Sequence, residues 1–553
     1  MPQSPQKRPA RLLSARVGAL ALVLALPAGC RSAAEHSDDA DEEVYAILDE
    51  LRSSLGASDV LRIDPPEDSL RGRIEGALAE GELPELEPLG LIDCIEIAAE
   101  NSREYQDQRE ALFIEALDLT FERWRLSLQP TAGGVGDSLG VGGEADTVGL
   151  TSVLGLDKLL GIGTDIGIGL STSLARVVST GGDWSAVSGL SLSVTQPLLR
   201  GFGGKIVLNN LTQAERDLIY QARTYERFRR TFAFDIVSQV FRIAQSTDTL
   251  GNERDNLTSL TRIRERNEAF AEAGQMLELE VDQARQNELG ARNSVVVAEA
   301  SLQTQYDNLK LTMGLPVETE MTIRHEELAN LFGLVVPSLD ESDSPEGLVT
   351  VALRERLDHL TAIDREQDAD RNMKVSADAL RAGLDVTFVA NAASDVDQPL
   401  DFAYDEAPWT AIIDLDLPIN LLPERNTYRR AEITLNASRR ARERSADFVT
   451  ADIRLALRDL GAARERAEIQ SNAAILAERR VESATLTLEA GRSDTRDLLE
   501  SQAALIAAQN SAVRARVDFA LARLALYRDM ELLRVDADGV RVETEPLDLG
   551  DEE

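Results

Sequence analysis

Apolar and polar positions alternate with a period of two in four stretches of this chain, and with a period near three and a half almost everywhere between them. Ile162, Thr164, Ile166, Ile168, Leu170, Thr172 and Leu174 face one way, against Gly163, Asp165, Gly167, Gly169, Ser171, Ser173 and Ala175. Trp184, Leu190, Leu192 and Val194 then oppose Ser185, Gly189, Ser191, Ser193 and Thr195. Much later Leu384, Val386, Phe388 and Ala390 alternate with Asp385, Thr387, Val389 and Asn391, and Trp409, Ala411, Ile413, Leu415 and Leu417 oppose Thr410, Asp414 and Asp416. Side chains of a strand point alternately to opposite faces, so each stretch predicts a strand with one greasy and one small or polar face. Four principal strands result, and the Gly-rich residues 130–160 before them read as loop.

Two of these strands end at a proline and give way to a helix. Gln196-Pro-Leu-Leu-Arg-Gly-Phe-Gly203 makes the first junction, around Pro197 and Gly201, and Asp416-Leu-Pro-Ile-Asn420 makes the second at Pro418. Proline cannot donate to a ladder or sit inside a helix, so it belongs at such a change of structure. Beyond Pro197, Leu211, Leu218, Tyr225 and Phe232 recur every seven residues, followed by Ile236, Ile243, Leu250 and Leu257 on a shifted frame. Beyond Pro418 the seam runs through Val449, Ile453, Ala456, Leu460, Ala463, Ala467, Ala474, Ala477, Val481, Ala484 and Leu488, missing only at Gln470. Three-four spacing of this length is the seam of a coiled coil.

A helix from Lys205 to Ala273 would be roughly 100 Å long at 1.5 Å per residue, too long for an ordinary globular core. Gly274 and Gly491 end the two long helices and permit tight reversal, and shorter returning helices follow. Leu499, Ala503, Ile506, Val513, Val517, Ala520, Leu524 and Tyr527 carry the second return. Helices over Leu89 to about Leu126 and Pro345 to about Ala382 precede the strands. The chain therefore reads as two repeats of helix, strands, long helix, turn and returning helix.

The N-terminus changes the picture from soluble to secreted. Lys7, Arg8, Arg11 and Arg16 precede the apolar run Val17 to Leu26, the pattern of a signal peptide and too short for a membrane span. Leu26-Pro-Ala-Gly-Cys30 resembles a lipobox, with Pro27 where that pattern prefers Leu; it makes Cys30 a lipidation site, the other reading being ordinary cleavage near Ala28 or Ala34. The acidic, Pro-punctuated residues 30–88 read as a tether with one short helix around Glu43 to Leu55.

Formal net charge is -38 among 553 residues, which excludes a nucleic-acid partner, since phosphate binding needs a basic face. Cys30 and Cys94 are the only cysteines and the three histidines are scattered, so neither a disulfide framework nor a metal site is expected; Cys94 reads as a small buried residue. Gly161-Ile-Gly-Thr-Asp-Ile-Gly167 misses the dinucleotide-binding spacing and no His accompanies a Ser or Cys nucleophile, so no enzyme and no cofactor is expected. Strands of about ten residues, apolar on one face, suit a membrane β-barrel with Trp184 and Trp409 in its interfacial girdle. A soluble sandwich is the other reading, but no further strand-rich region supplies a facing sheet.

From about Leu89 to Leu533 the chain resembles the TolC family of outer-membrane efflux proteins. The two Pro-containing junctions, Ala352-Leu-Arg-Glu-Arg-Leu-Asp358, Ala273-Gly274 and Ala490-Gly491 carry the likeness. The resemblance implies a mostly α fold with a membrane β-barrel portion: a homotrimer whose chains give four strands each to a twelve-stranded barrel and four helical columns to a periplasmic tunnel. It divides the chain into a signal peptide (1–29), the tether (30–88), two TolC-like repeats (89–330 and 331–534) and an acidic tail (535–553). It implies a passive exit duct for efflux or type I secretion, set in outer-membrane lipid and joined through a periplasmic adaptor to an inner-membrane pump. Asp497 and Glu500 stand where the family carries its periplasmic gate, and Glu280 where it carries a residue that latches neighbouring helices. The latch arginine is replaced by Ser493, leaving Arg492 or Arg496 to substitute. The alternative from the residues is a lipid-anchored periplasmic coiled-coil adaptor that spans no membrane.

Overall fold

A computed structural model describes residues 31–55, 62–63, 69–81, 86–141, 145–178, 183–324, 344–396, 398–399, 401–490, 492–536 and 539–542. They fall into two compact units. One comprises residues 113–221 and 363–441 with the N-terminal residues to Ser54; the other comprises 55–112, 222–362 and 442–553.

The first unit is built on one antiparallel sheet of six strands in chain order: β1 Gln129–Val141, β2 Ala145–Leu159, β3 Asp165–Val177, β4 Ser185–Pro197, β5 Gly383–Ala393 and β6 Trp409–Asp416. β3 to β6 are the four expected from alternation. β1 and β2 are a further hairpin, made from residues that read as loop. Gly133, Gly134, Gly136 and Gly140 dilute the alternation of β1, while Val148, Leu150, Leu154 and Leu156 keep it in β2.

Register lines the apolar residues up across strands. Leu154 faces Leu170 and Leu156 faces Ile168; beyond them Leu170 faces Leu190, Ile168 faces Leu192, and Val194 faces Phe388. Ala411 and Ile413 continue the row opposite Phe388 and Val386. The other face carries Gly, Ser, Thr and Asp. Helices adjoin one end of the sheet: α4 (Arg103–Arg125) enters β1, β4 leaves through the short α5 (Gly204–Val207) into α6 (Asn209–Glu272), α9 (Leu357–Asp378) enters β5, and β6 leaves into α10 (Leu422–Glu489). A 13-residue strand such as β3, at roughly 3.4 Å per residue and tilted by about 40°, reaches about 30 Å, the thickness of a bilayer core.

The N-terminal helix α1 runs from Ala33 to Leu55, longer than the short helix expected in a tether. Val44 and Leu48 are buried, and the Tyr45 ring meets Phe113 edge-on with centroids 5.7 Å apart. Apolar residues four apart give this acidic segment a packing face.

The second unit displays the internal repeat. The two helices expected before the strands are each broken: α3 (Leu91–Asn101) stops at Ser102, and α8 (Pro345–Glu355) stops at Arg356, both breakers extended and both still donating to the carbonyl four residues back. The returning helices α7 (Glu278–Thr312) and α11 (Thr495–Asp529) are 35 residues each, against 64 for α6 and 68 for α10. Each return ends with Met in the cap, Met313 and Met530, followed by a left-handed residue: Gly314 (φ 76°) and Glu531 (φ 61°). A side chain at Gly314 would put its Cβ 2.0 Å from the Asn101 carbonyl oxygen, so this position requires glycine. At Glu531 the same backbone state is held by ion pairs to Arg230 and Arg227 at 2.6 and 2.7 Å, with Glu531 and Arg230 both buried.

Heptad positions supply the cores of this unit. Leu348, Ala352, Val449, Ile453, Leu526 and Met530 form one cluster. Leu260, Ile263, Ala284, Ala291, Leu498 and Leu499 form another, with Val481, Ala484 and Leu488 against it. Cys94 is buried. A helix α2 (Leu70–Ala79) precedes α3, with Arg71 N–H donating to Asn101 Oδ1 at 2.9 Å, and residues of the expected acidic tail form a small hairpin, β7 (Leu533–Asp536) with β8 (Gly539–Val542).

Ala463 of the α10 seam is buried, so Ala463→Leu overpacks it. The variant is expected to lose about 1–3 kcal/mol, read from the denaturation midpoint, and an unchanged midpoint would contradict the seam.

Candidate functional site

Three places combine backbone geometry with exposed or buried polar groups: the small-residue face of the sheet, the strand-to-helix junctions, and the turns at the far ends of the long helices.

On the sheet, glycines lie beneath the side chains of the neighbouring strand. A Cβ at Gly167 would lie 2.7 Å from Ser193 Oγ, and one at Gly169 would lie 2.6 Å from Ser191 Oγ. Opposing hydroxyls lie over the glycines, and Thr172 and Ser188 pair at 2.9 Å on the other face near the loop end. Crowding of this kind suits the concave side of a curved sheet, where side chains converge. The same face bears Asp157, Asp165, Asp385, Asp414 and Asp416 toward the helical end, giving an acidic rim.

At the first junction the chain turns on Pro197, Gly201 (φ 81°) and Gly203 (φ 103°). Gly201 N–H donates to the buried Asp378 at 2.7 Å, and Arg381 holds the other carboxylate oxygen at 2.9 Å. Arg200 pairs with Asp416 of β6 at 2.7 Å, joining the two junctions. Pro418 follows β6, and Asn420 Oδ1 accepts from Leu422 N–H at 3.2 Å to open α10. Below them, Tyr220 of α6 donates to Asp368 of α9, which also receives Arg371 at 2.7 Å and Arg216 at 3.2 Å. Burial, reinforced by Asp368, pushes the Tyr220 phenol up to about 12, so it remains a donor at physiological pH.

At the first turn Gly274 (φ 72°) stops α6, with Gln275 N–H returning to the Phe270 carbonyl. The second turn repeats the bond, Arg492 N–H to the Thr487 carbonyl at 2.9 Å; Gly491 itself lies outside the described residues. Asp497 and Glu500 are exposed on the first turns of α11. Ser493 Oγ donates to Asp497 at 2.6 Å. Arg496 pairs with Glu500 at 3.3 Å on the same helix, and Glu280 sits half-buried in the first turn of α7.

Residues 158–315, covering β3, β4, α6 and α7, match the model of the outer membrane efflux protein family. That stretch carries the family's sequence pattern. No curated protein matches it closely enough to add to this. Among solved structures, CusC, described for its transmembrane channel formation, aligns with TM-score 0.60 at 14% identity, covering 80% of this chain and 91% of its own. VceC, an outer membrane protein of Vibrio cholerae, gives 0.58 at 14% over 80% and 95%, and the CmeC outer membrane channel of Campylobacter jejuni gives 0.56 at 15% over 80% and 85%. At these identities the likeness is one of fold.

Trp184 and Trp409 are exposed at the loop end of the sheet, Trp409 stacked on Phe388 at 6.0 Å. At the helical end Phe121 stacks on Trp124 at 5.9 Å, with Phe202 also exposed, a second aromatic level that the alternation did not reveal because Phe121 and Trp124 belong to a helix. Cys30 lies outside the described residues. Sequence reading also missed the charge cluster around the buried Arg356 at the break between α8 and α9. There Arg356 spans Asp358 and Asp452 at 2.8 and 3.1 Å, and Arg227 meets Asp358 at 2.6 Å. Arg356 and Asp358 fall in the Ala352–Asp358 run, which the sequence offered only as a family-like motif.

Burial pushes the Asp358 carboxyl upward, but hydrogen bonds from Arg356 and the charge of Arg227 outweigh it and hold the carboxyl below its ordinary 3.8. A depressed carboxylate stabilises the fold above its unfolded pKa and loses that contribution as pH falls through its folded value. Asp358→Asn should therefore be less stable than the parent at pH 7, with the gap closing below about pH 4. Denaturant midpoints at pH 7, 5 and 3 measure this, and a gap independent of pH would refute it.

Proposed function

We propose that this protein is the outer-membrane exit duct of a tripartite efflux or type I secretion system, acting as a homotrimer. The sheet crosses the membrane with its Leu/Ile/Val face toward lipid and its Gly/Ser/Asp face toward the lumen, and the long helices line a periplasmic tunnel. The helical end of the sheet is the periplasmic end, and the aromatic pairs mark the two interfaces. Flow is passive. A periplasmic adaptor and an inner-membrane pump supply the cargo and the energy, and Cys30 anchors the N-terminus by its lipid.

The observation that carries this reading is that one chain leaves its own folding rules unsatisfied in two ways. The sheet has open edges, which a lipid environment does not tolerate. The long helix α10 also bears a second heptad stripe, Phe448, Leu455, Ala462, Ile469 and Leu476, which is exposed although its first seam is packed. Other copies satisfy both. Phe448→Glu with Leu476→Glu should abolish the trimer in detergent while each chain keeps its helical circular dichroism, and a trimer surviving both changes would refute the packing. The adaptor alternative, which spans no membrane, predicts no conductance in planar bilayers.

Asp497 and Glu500 form the gate in this reading. Three copies of each carboxylate converge where water is confined, so cations are drawn in. Arg496 neutralises part of Glu500 within the chain, which leaves Asp497 as the stronger member. No arginine partner is assigned to the Glu280 latch. Asp497→Asn with Glu500→Gln should lower cation selectivity and weaken block by trivalent cations in single-channel recordings, with trimer assembly intact. Parental selectivity and block in that double variant would remove the gate.

A further inference from the structure

The added hairpin decides how the membrane ring closes. β3 has no free edge: β2 pairs with it from Asp165 to Val177, and β4 occupies its other side from Asp165 to Ala175. A ring of four strands per chain would require the next chain's β6 to take the place of β2 along β3. That exchange replaces a ladder within the chain by a shorter one between chains, since β6 has 8 residues and β2 has 15. The intrachain pairing also carries no cost of association.

The hairpin is also fixed at its helical end. Lys158 Nζ donates to the Leu126 carbonyl at 2.7 Å, where α4 stops. The turn between β2 and β3 is bound to the first junction by Gly203 N–H donating to the Ile162 carbonyl at 3.1 Å. Gly163 (φ 96°) lies there so close to the Gly201 carbonyl oxygen that a Cβ would come within 2.8 Å.

The register of the sheet continues onto β1. Pro130, Ala132, Gly134, Gly136 and Ser138 form its uncharged side, opposite Leu156, Leu154, Ser152, Leu150 and Val148, while Val135, Asp137 and Leu139 lie on the small-residue side opposite Thr151, Gly149 and Thr147. At the other edge β6 shows the same division, with Trp409, Ala411, Ile413 and Leu415 against Thr410, Asp414 and Asp416. β1 runs away from the helical end and β6 runs toward it, so the two edges of neighbouring copies meet antiparallel with lipid and lumen faces in agreement.

We propose that β1 of each copy pairs with β6 of the next, so that three six-stranded sheets close an eighteen-stranded barrel in place of the twelve-stranded one that four strands per chain would give. Barrel diameter grows roughly linearly with strand number, so the pore through the membrane is about half again as wide. The partner at each edge is a second copy of this chain. The inference rests on the trimeric membrane reading above.

Two cysteine pairs test it in the full-length protein, expressed in an outer-membrane-bearing host and oxidised in isolated membranes, with single-cysteine variants as controls. Thr151→Cys with Ser173→Cys, whose parent hydroxyls are 3.2 Å apart across β2 and β3, should link within one chain and leave the trimer intact. Val135→Cys or Gly133→Cys, combined with Thr410→Cys or Ile412→Cys, should link chain to chain and give covalent dimers and trimers on denaturing gels. Links from β6 to Ser171→Cys of the next chain, with no link between β2 and β3, would overturn the eighteen-stranded ring while leaving the trimeric duct standing. A monomer, or a protein absent from the outer-membrane fraction, would overturn the duct and the ring together. Strand counting by electron cryo-microscopy of the purified trimer gives the same decision directly, eighteen supporting the ring and twelve refuting it.

Discussion

Backbone N–H and C=O groups cannot be left unpaired in hydrocarbon, and much of this chain's design follows from that constraint. Among the described residues, each strand of the sheet finds its ladder partner within the chain except along the outer sides of β1 and β6. The apolar face suits lipid, and on the opposite face a Cβ at Gly167 or Gly169 would meet the hydroxyl of Ser193 or Ser191, which would have to rotate away. In the proposed outer-membrane setting, strand length, face pattern and open edges are three consequences of one solvent. In water the same sheet would be a hazard, with β6 exposed along its whole length.

The helical part meets a different requirement. Helices of 64 and 68 residues cannot gather around one thick core, so they pack along narrow seams in which Ala, Leu and Val recur at heptad spacing. Seams of this kind specify spacing well and position along the axis weakly. Polar contacts supply what the seams lack: Arg356 with Asp358 and Asp452, and Glu531 with Arg230 and Arg227, join segments far apart in sequence. Burial raises the Glu531 carboxyl while Arg230 and Arg227 lower it, and burial prevails. The repeat is unequal here. Gly314 ends the first return without strain, whereas Glu531 ends the second in a left-handed conformation that its ion pairs hold. The two halves of the chain therefore share a helix-capping geometry and differ in the charge placed there.

What the sequence determined by itself was whatever depends on local periodicity. Alternation over 162–174, 184–194, 384–390 and 409–417 located β3 to β6, and heptads located the long helices, because side-chain direction in a regular element is a property of the backbone alone. Pro197 ends β4, Pro418 follows β6 and Gly274 carries a positive φ, since a missing N–H or a positive φ restricts a residue wherever it stands. Tertiary structure decided the rest. Residues 129–141 contain too many glycines to alternate, and become β1 only because β2 offers a ladder. The helices before the strands break at Ser102 and Arg356, and their apolar periodicity does not place either break; at Arg356 the chain is held by carboxylates at Asp358 and Asp452, the second nearly a hundred residues away. Pairing partners and buried charges are long-range facts, and a period read along one chain carries no information about them.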